Sequence, residues 1–171
     1  EEDNSVLISQ GARIYKSTNM GETWEDYSNG LEEMPHYHTI IKMERNPLNP
    51  NQISFVSTNG IYTSYDKGAT WTQISSDYAH NIKHSDKTNG HIVASIHTSL
   101  DSPAKIRYSI DGGNNWDTIE TEELSYIVTS IFDATDMQFH ENSVDIYFSG
   151  KGLGIVKYTL DFGTLIIGEP E

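Results

Sequence analysis

The chain has 171 residues, 36% of them hydrophobic, with 10 Tyr, 5 Phe and 3 Trp. That suits one folded domain with an aromatic core rather than a disordered acidic tail. Its 25 Asp and Glu against 11 Lys and Arg give a formal charge of −14, which argues against nucleic acid or an anionic membrane as partner. Cysteine is absent, which excludes disulfides, thiolate metal centres and cysteine nucleophiles. No apolar run approaches the roughly 20 residues of a membrane-spanning helix, so no membrane insertion is expected.

In chain order, short β-branched and aromatic runs read as strands. The first three are Val6–Ser9, Arg13–Ser17 and Thr23–Tyr27, and the octapeptide STNMGETW from Ser17 spans the second turn. Next come His38–Glu44, Ile53–Ser57, Ile61–Ser64 and Thr70–Ser75, with SYDKGATW from Ser64. Then follow His80–His84, His91–Ile96, Lys105–Ser109 and Asn115–Ile119, with SIDGGNNW from Ser109. The last set is Val128–Asp133, Val144–Phe148, Gly154–Thr159 and Thr164–Ile167, with TLDFGTLI from Thr159.

The four octapeptides are copies of one unit, starting at 17, 64, 109 and 159, with spacings of 47, 45 and 50 residues. A period in this range marks a repeat architecture. Each copy sets a hydroxyl (Ser17, Ser64, Ser109, Thr159) two residues before Asn19, Asp66, Asp111 or Asp161. A glycine (Gly21, Gly68, Gly113, Gly163) follows two residues later. The carboxylate or amide oxygen accepts from nearby backbone N–H groups, and glycine tolerates positive φ. Trp24, Trp71 and Trp116 then anchor the returning strand, with Ile166 in their place in the fourth copy.

The pattern S-x-D-x-G-x-T-W resembles the Asp box, or bacterial neuraminidase repeat, of sialidases, sortilin-like receptors, xyloglucanase-type glycosidases and a photosystem assembly factor. The resemblance implies an all-β fold, a β-propeller of four-stranded antiparallel blades. Each box would sit on the turn between the third and fourth strands, in a structural role. The blades would occupy residues 1–168: a partial blade at 1–28 lacking its innermost strand, and full blades at 37–75, 79–120 and 126–168. That is about 3.75 blades, followed by a linker stub at 169–171. Propellers close with about four to eight blades. The expectation is therefore a portion of a ring completed by further blades of a parent chain or another subunit. A small four-bladed ring with one imperfect blade is the alternative.

In propellers of this kind ligands bind where the innermost strands begin. On that face the chain offers Tyr37, His38, Tyr78, His80, His97, Asp101 and Tyr126, where rings beside carboxylates suit a sugar. The same residues also suit an ordinary solvated surface. His36 and His38 share a side of an extended segment, a chelating spacing that lacks a third ligand. No metal and no cofactor is expected.

Sialidases grip a carboxylate with three Arg. This chain has only Arg13, Arg45 and Arg107, two of them in strands leading into a box, so that activity is not expected. The box carboxylates Asp66, Asp111 and Asp161 should be occupied by their turns and make poor catalysts. The reading is a binding or scaffold module for a glycan or protein, in an extracellular or cell-surface and, by composition, bacterial protein. The competing reading is part of a xyloglucanase-like glycoside hydrolase whose catalytic residues lie partly outside this chain.

Overall fold

The computed structural model describes residues 5–96, 105–119, 134–150 and 154–162. Within them the chain forms strands and turns, arranged as four sheets in which sequence neighbours pair antiparallel. The first sheet holds β1 (Val6–Gln10), β2 (Arg13–Ser17) and β3 (Glu25–Asp26). The second holds β4 (Ile40–Arg45), β5 (Ile53–Ser57), β6 (Gly60–Ser64) and β7 (Thr72–Ser75). β8 (Ala79–His84), β9 (Ile92–Ile96), β10 (Lys105–Ser109) and β11 (Asp117–Ile119) form the third. The fourth contains β12 (Ala134–Phe139), β13 (Ser143–Gly150) and β14 (Gly154–Asp161).

Period-2 alternation separates the two faces of each sheet, and the core lies where apolar faces of consecutive sheets meet. In β5 and β6, Phe55 pairs with Tyr62 and Ile53 with Ser64. That face packs with Ile14, Leu31 and Trp71 against the first sheet. The opposite face, where Val56 pairs with Ile61, meets Ile82, Ile92 and Ala94 of the third sheet. Val93, Ile106 and Tyr108 then meet Met137, Val144, Ile146 and Phe148 of the fourth. Three interlayer cores join four sheets face to face, so the fold is all-β and is an incomplete β-propeller.

Each innermost strand of the last three sheets is irregular at the same place. The pairing shifts between Ile40 and Lys42, between Ala79 and Asn81, and between Ala134 and Asp136. One extra residue there bends the strand at the end where it begins.

The innermost strand of the fourth sheet is β12, Ala134–Phe139, rather than the expected Val128–Asp133, which lies outside the described residues. Met137 and Phe139 alternate with Asp136 and Gln138, and a tight connection through His140, Glu141 and Asn142 leads into β13. Residues 128–133 are rich in β-branched side chains, but hairpin register and alternation make 134–139 the partner of β13.

The first sheet presents a face unlike the others. Register places Ile8 opposite Tyr15 and Val6 opposite Ser17, as Phe55 stands opposite Tyr62 and Ile53 opposite Ser64. Phe55 and Ile53 are buried, whereas Val6 is 45% and Ile8 41% exposed.

Candidate functional site

Successive strands reverse direction, so each sheet has two ends. Innermost strands begin at the start face, and the octapeptide turns lie at the opposite end, the box face.

On the box face three turns repeat one hydrogen-bond design. Ser64 Oγ donates to Asp66 Oδ1 at 2.7 Å and accepts from the Gly68 amide at 2.7 Å. Asp66 accepts from the Thr70 amide at 2.8 Å and from its hydroxyl at 2.7 Å. Ser109, Asp111, Gly113 and Asn115 reproduce the set at 2.6–2.9 Å. Ser17, Asn19, Gly21 and Thr23 do so with one inversion, because Asn19 Nδ2 donates to Thr23 Oγ1. Positive φ at Lys67 and Gly68, and at Gly112 and Gly113, lets each turn close. Burial raises the Asp66 pKa, but the hydrogen bonds from Ser64 and Thr70 outweigh it and hold the carboxyl below its usual range. For Asp111 the Asn115 amide is the main cause of a lowered pKa.

The fourth copy departs from this design. Thr159 Oγ1 donates across the sheet to Asp145 Oδ1 at 2.6 Å, and β14 continues through Asp161 where the other strands stop at the serine. Gly163 lies outside the described residues.

Trp71 is buried and its Nε1 donates to the Tyr27 carbonyl of the preceding sheet at 2.9 Å. Trp116 packs on the core shared with the second sheet. Trp24 is 38% exposed. In all three boxes a Cβ built on the glycine would meet the tryptophan ring, so the three rings sit alike on their turns.

On the start face, Tyr37 is 74% exposed and its ring lies 4.5 Å from His38. His38 Nδ1 is 2.7 Å from Thr58 Oγ1, which ties the pair to the connection between β5 and β6. One sheet on, Tyr78 stacks on His80 at 4.9 Å and 22°. His80 lies at the irregularity of β8, between Ala79 and Asn81. The structure thus places a Tyr–His pair immediately before, or at the start of, two consecutive innermost strands. His97, Asp101 and Tyr126 lie outside the described residues. Among the described residues no three His, Asp or Glu side chains come together as a metal site.

Arg13 and Arg107 are committed to structure. Arg13 donates to the Leu31 carbonyl at 2.8 Å, and Arg107 holds the Asp77 carboxylate through Nε and Nη2 at 2.9 and 2.5 Å. Neither is free to grip a ligand carboxylate. Burial raises the Asp77 pKa, and the bonds from Ser75 and Arg107 bring it below the usual range.

Sequence reading missed the polar ladder along the innermost strands. Lys42 donates to Asn81 at 2.6 Å and lies 3.8 Å from Glu44, and Lys83 reaches Asp136 at 3.2 Å. Burial pushes the Glu44 carboxyl up against the pull of Lys42 and Lys83. The available signal was the recurrence of polar residues at alternate positions of β4, β8 and β12. A cavity of about 330 Å³ opens where these strands end, lined by Glu44, Arg45, Lys83, Lys87 and His140 among others.

With this geometry, the chain was compared with known proteins. No family model matches it. The vacuolar protein sorting/targeting protein 10 of Talaromyces stipitatus is 30% identical over 88 residues, 50% of this chain and 6% of that protein. Its namesake in Aspergillus terreus is 29% identical over 111 residues, 64% of this chain and 7% of that protein. The chain therefore spans well under a tenth of the length of these curated relatives. They are fungal, and the expected bacterial source gains no support from them.

Among solved structures, an ancestral GH74 enzyme superposes with a TM-score of 0.63 at 20% identity, over 86% of this chain and 21% of that one. YCF48 bound to D1 peptide gives 0.57 at 14% identity, over 94% and 50%. The NanB sialidase of Streptococcus pneumoniae gives 0.50 at 17% identity, over 79% and 23%. At these identities the likeness is one of fold: the chain carries a portion of the sialidase-like β-propeller. Among the described residues no helix is long and apolar enough to cross a membrane.

Proposed function

We propose that the chain is a propeller module that binds a glycan or protein on its start face, in an extracellular or cell-surface protein. The supporting observation is the repeated Tyr–His pair, Tyr37 with His38 and Tyr78 with His80, on adjacent sheets. An aromatic ring braced by a neighbouring imidazole gives low-entropy contact area for a sugar face or a peptide side chain, and Tyr37 is 74% exposed. The commitment of Arg13 and Arg107 to structural bonds supports a binder over a sialidase. Further blades, from a parent chain or another subunit, would cover the exposed face of the first sheet.

A glycan array and a peptide library, each probed with the protein and with a Tyr37→Ala/Tyr78→Ala double variant, test the reading. The expected result is a ligand whose affinity falls at least about tenfold in the variant, the loss of roughly 1.4 kcal/mol. A ligand bound equally by both proteins would overturn the start-face assignment.

The second reading, part of a glycoside hydrolase, draws on the GH74 likeness and on the upward shift at Glu44. Under it Glu44 would serve as a general acid. Release of reducing ends from xyloglucan by the protein, abolished in Glu44→Gln, would favour that reading. No release at all would leave the binding module standing.

A further inference from the structure

A second groove lies on the box face, away from the Tyr–His pairs. It has a volume of about 390 Å³, within the range of small-molecule sites, and runs between the turns of the second and third sheets. Its central feature is Tyr65, the residue between Ser64 and Asp66. The ring is 52% exposed, and its hydroxyl donates to the Gly112 carbonyl of the neighbouring turn at 3.0 Å. A surface tyrosine ordinarily loses rotamer freedom when a ligand covers it. This one is already held at its tip, with a ring face left open. Burial and the Asp111 charge push the phenol pKa up, so the hydroxyl remains a donor through neutral and mildly basic pH.

Carboxamides surround the ring. Asn89 Oδ1 accepts from Asn46 Nδ2 at 3.2 Å, which leaves the Asn89 amide NH₂ to donate elsewhere. Asn49 Oδ1 accepts from the Asn51 amide at 3.3 Å, with the same consequence. Asn114 is turned the other way: its Nδ2 donates to the Asp111 carbonyl at 2.7 Å, leaving Oδ1 as an acceptor. Behind them, buried Asn46 and Gln52 bond each other at 2.7 Å, and Gln52 reaches the Gly112 carbonyl at 3.3 Å. That buried layer fixes the exposed row from below.

Charge is nearly absent from the groove. The single ionisable carboxylate on its wall, Asp111, already accepts from Ser109 and twice from Asn115. In a chain of net charge −14, a groove that presents an aromatic face and uncommitted amide groups selects for a neutral polyhydroxylated ligand. Vicinal sugar hydroxyls both donate and accept, which matches two amide donors and one amide acceptor around a stacking ring.

We propose that this groove is a glycan subsite, in which a neutral hexopyranose unit stacks on Tyr65 and its hydroxyls bond Asn49, Asn89 and Asn114. It is separate from the start-face site and does not depend on it.

The test is a ¹⁵N-edited NMR titration of the protein with short cello-, malto- and manno-oligosaccharides. At least one probe should perturb the side-chain amides of Asn49, Asn89 and Asn114. Tyr65→Ala should weaken that probe about tenfold, the worth of one stacked ring, with Asn114→Ala as a second variant because its side chain lies at the surface. Tyr65→Phe, which keeps the ring and loses the tether, should fall between. Shifts confined to Tyr37 and Tyr78 would overturn this subsite while supporting the start-face reading. The absence of shifts with every probe, or unchanged affinity in folded Tyr65→Ala and Asn114→Ala proteins, would also overturn it.

Discussion

In the first three boxes, one serine hydroxyl donates to the side-chain oxygen two residues on and accepts from the glycine amide. Asp66→Ala removes the acceptor for two Thr70 donors, and should cost about 1–2 kcal/mol in a denaturant melt. The sign of the acid response follows from the lowered carboxyl pKa values of Asp66 and Asp111. Their stabilisation is present above the ordinary carboxyl range and is lost as pH falls through the folded values. Asn19 carries no charge, so below about pH 4 the protection of the Gly68 and Gly113 amides, taken relative to their intrinsic exchange rates at each pH, should fall and that of Gly21 should not. An equal loss of protection at all three glycines would refute a carboxylate role. His84 has the opposite chemistry. Burial lowers its pKa from 6.5 to about 4, with Nε2 3.0 Å from Ser54 Oγ and no partner for Nδ1 among the described residues. Its neutral form belongs to the folded state, so stability should fall as pH drops from 6.5 toward 4, by about 3 kcal/mol. Thermal melts of the protein and of His84→Gln across that window should converge at acid pH. Parallel curves would place the acid sensitivity elsewhere.

At the scale of the element, the sheet-to-sheet contact is the unit of stability. Trp71 is 3% exposed and bonds the preceding sheet, whereas Trp24 is 38% exposed. Trp71→Ala should therefore cost about 3–5 kcal/mol, and Trp24→Ala less than about 1 kcal/mol in this chain. Similar losses would mean that Trp24 is as well covered as Trp71, against the exposed first-sheet face described above. The repeat made this architecture readable, since Ser, Asp or Asn, Gly and Trp at fixed offsets have a single mechanical use, and the strands beside the first three boxes were legible within two or three residues, while the expected Thr164–Ile167 lies outside the described residues. β12 was not, because Val128–Asp133 and Ala134–Phe139 both carry strand-forming residues and only pairing with β13 separates them. The Thr159 hydroxyl was also unreadable, since its choice of Asp145 over Asp161 depends on a neighbouring strand. The Tyr–His pairs were visible as residues, but the strand irregularity at which His80 sits was not. The Tyr65 groove gave no linear signal, because its walls come from turns on two sheets.

For the molecule as a whole, the two ends of the stack differ. The outer face of the fourth sheet carries a polar cluster, Asp145 bonded to Thr159, His140 and Lys157, beside an exposed Ile155. The outer face of the first sheet shows Val6, Ile8 and Trp24, the counterparts of residues that bury against a preceding sheet elsewhere in the chain. Exposed apolar faces of this kind mark an interaction surface. In the proposed arrangement these sheets are one arc of a propeller whose first sheet is covered in the working protein. Native mass spectrometry of the protein from its natural source tests this most directly. The account predicts a species heavier than the 19.3 kDa of this chain, either an oligomer or a longer polypeptide that contains it. A stable monomer of 19.3 kDa would contradict the account, and would mean that the four sheets work as a self-contained module.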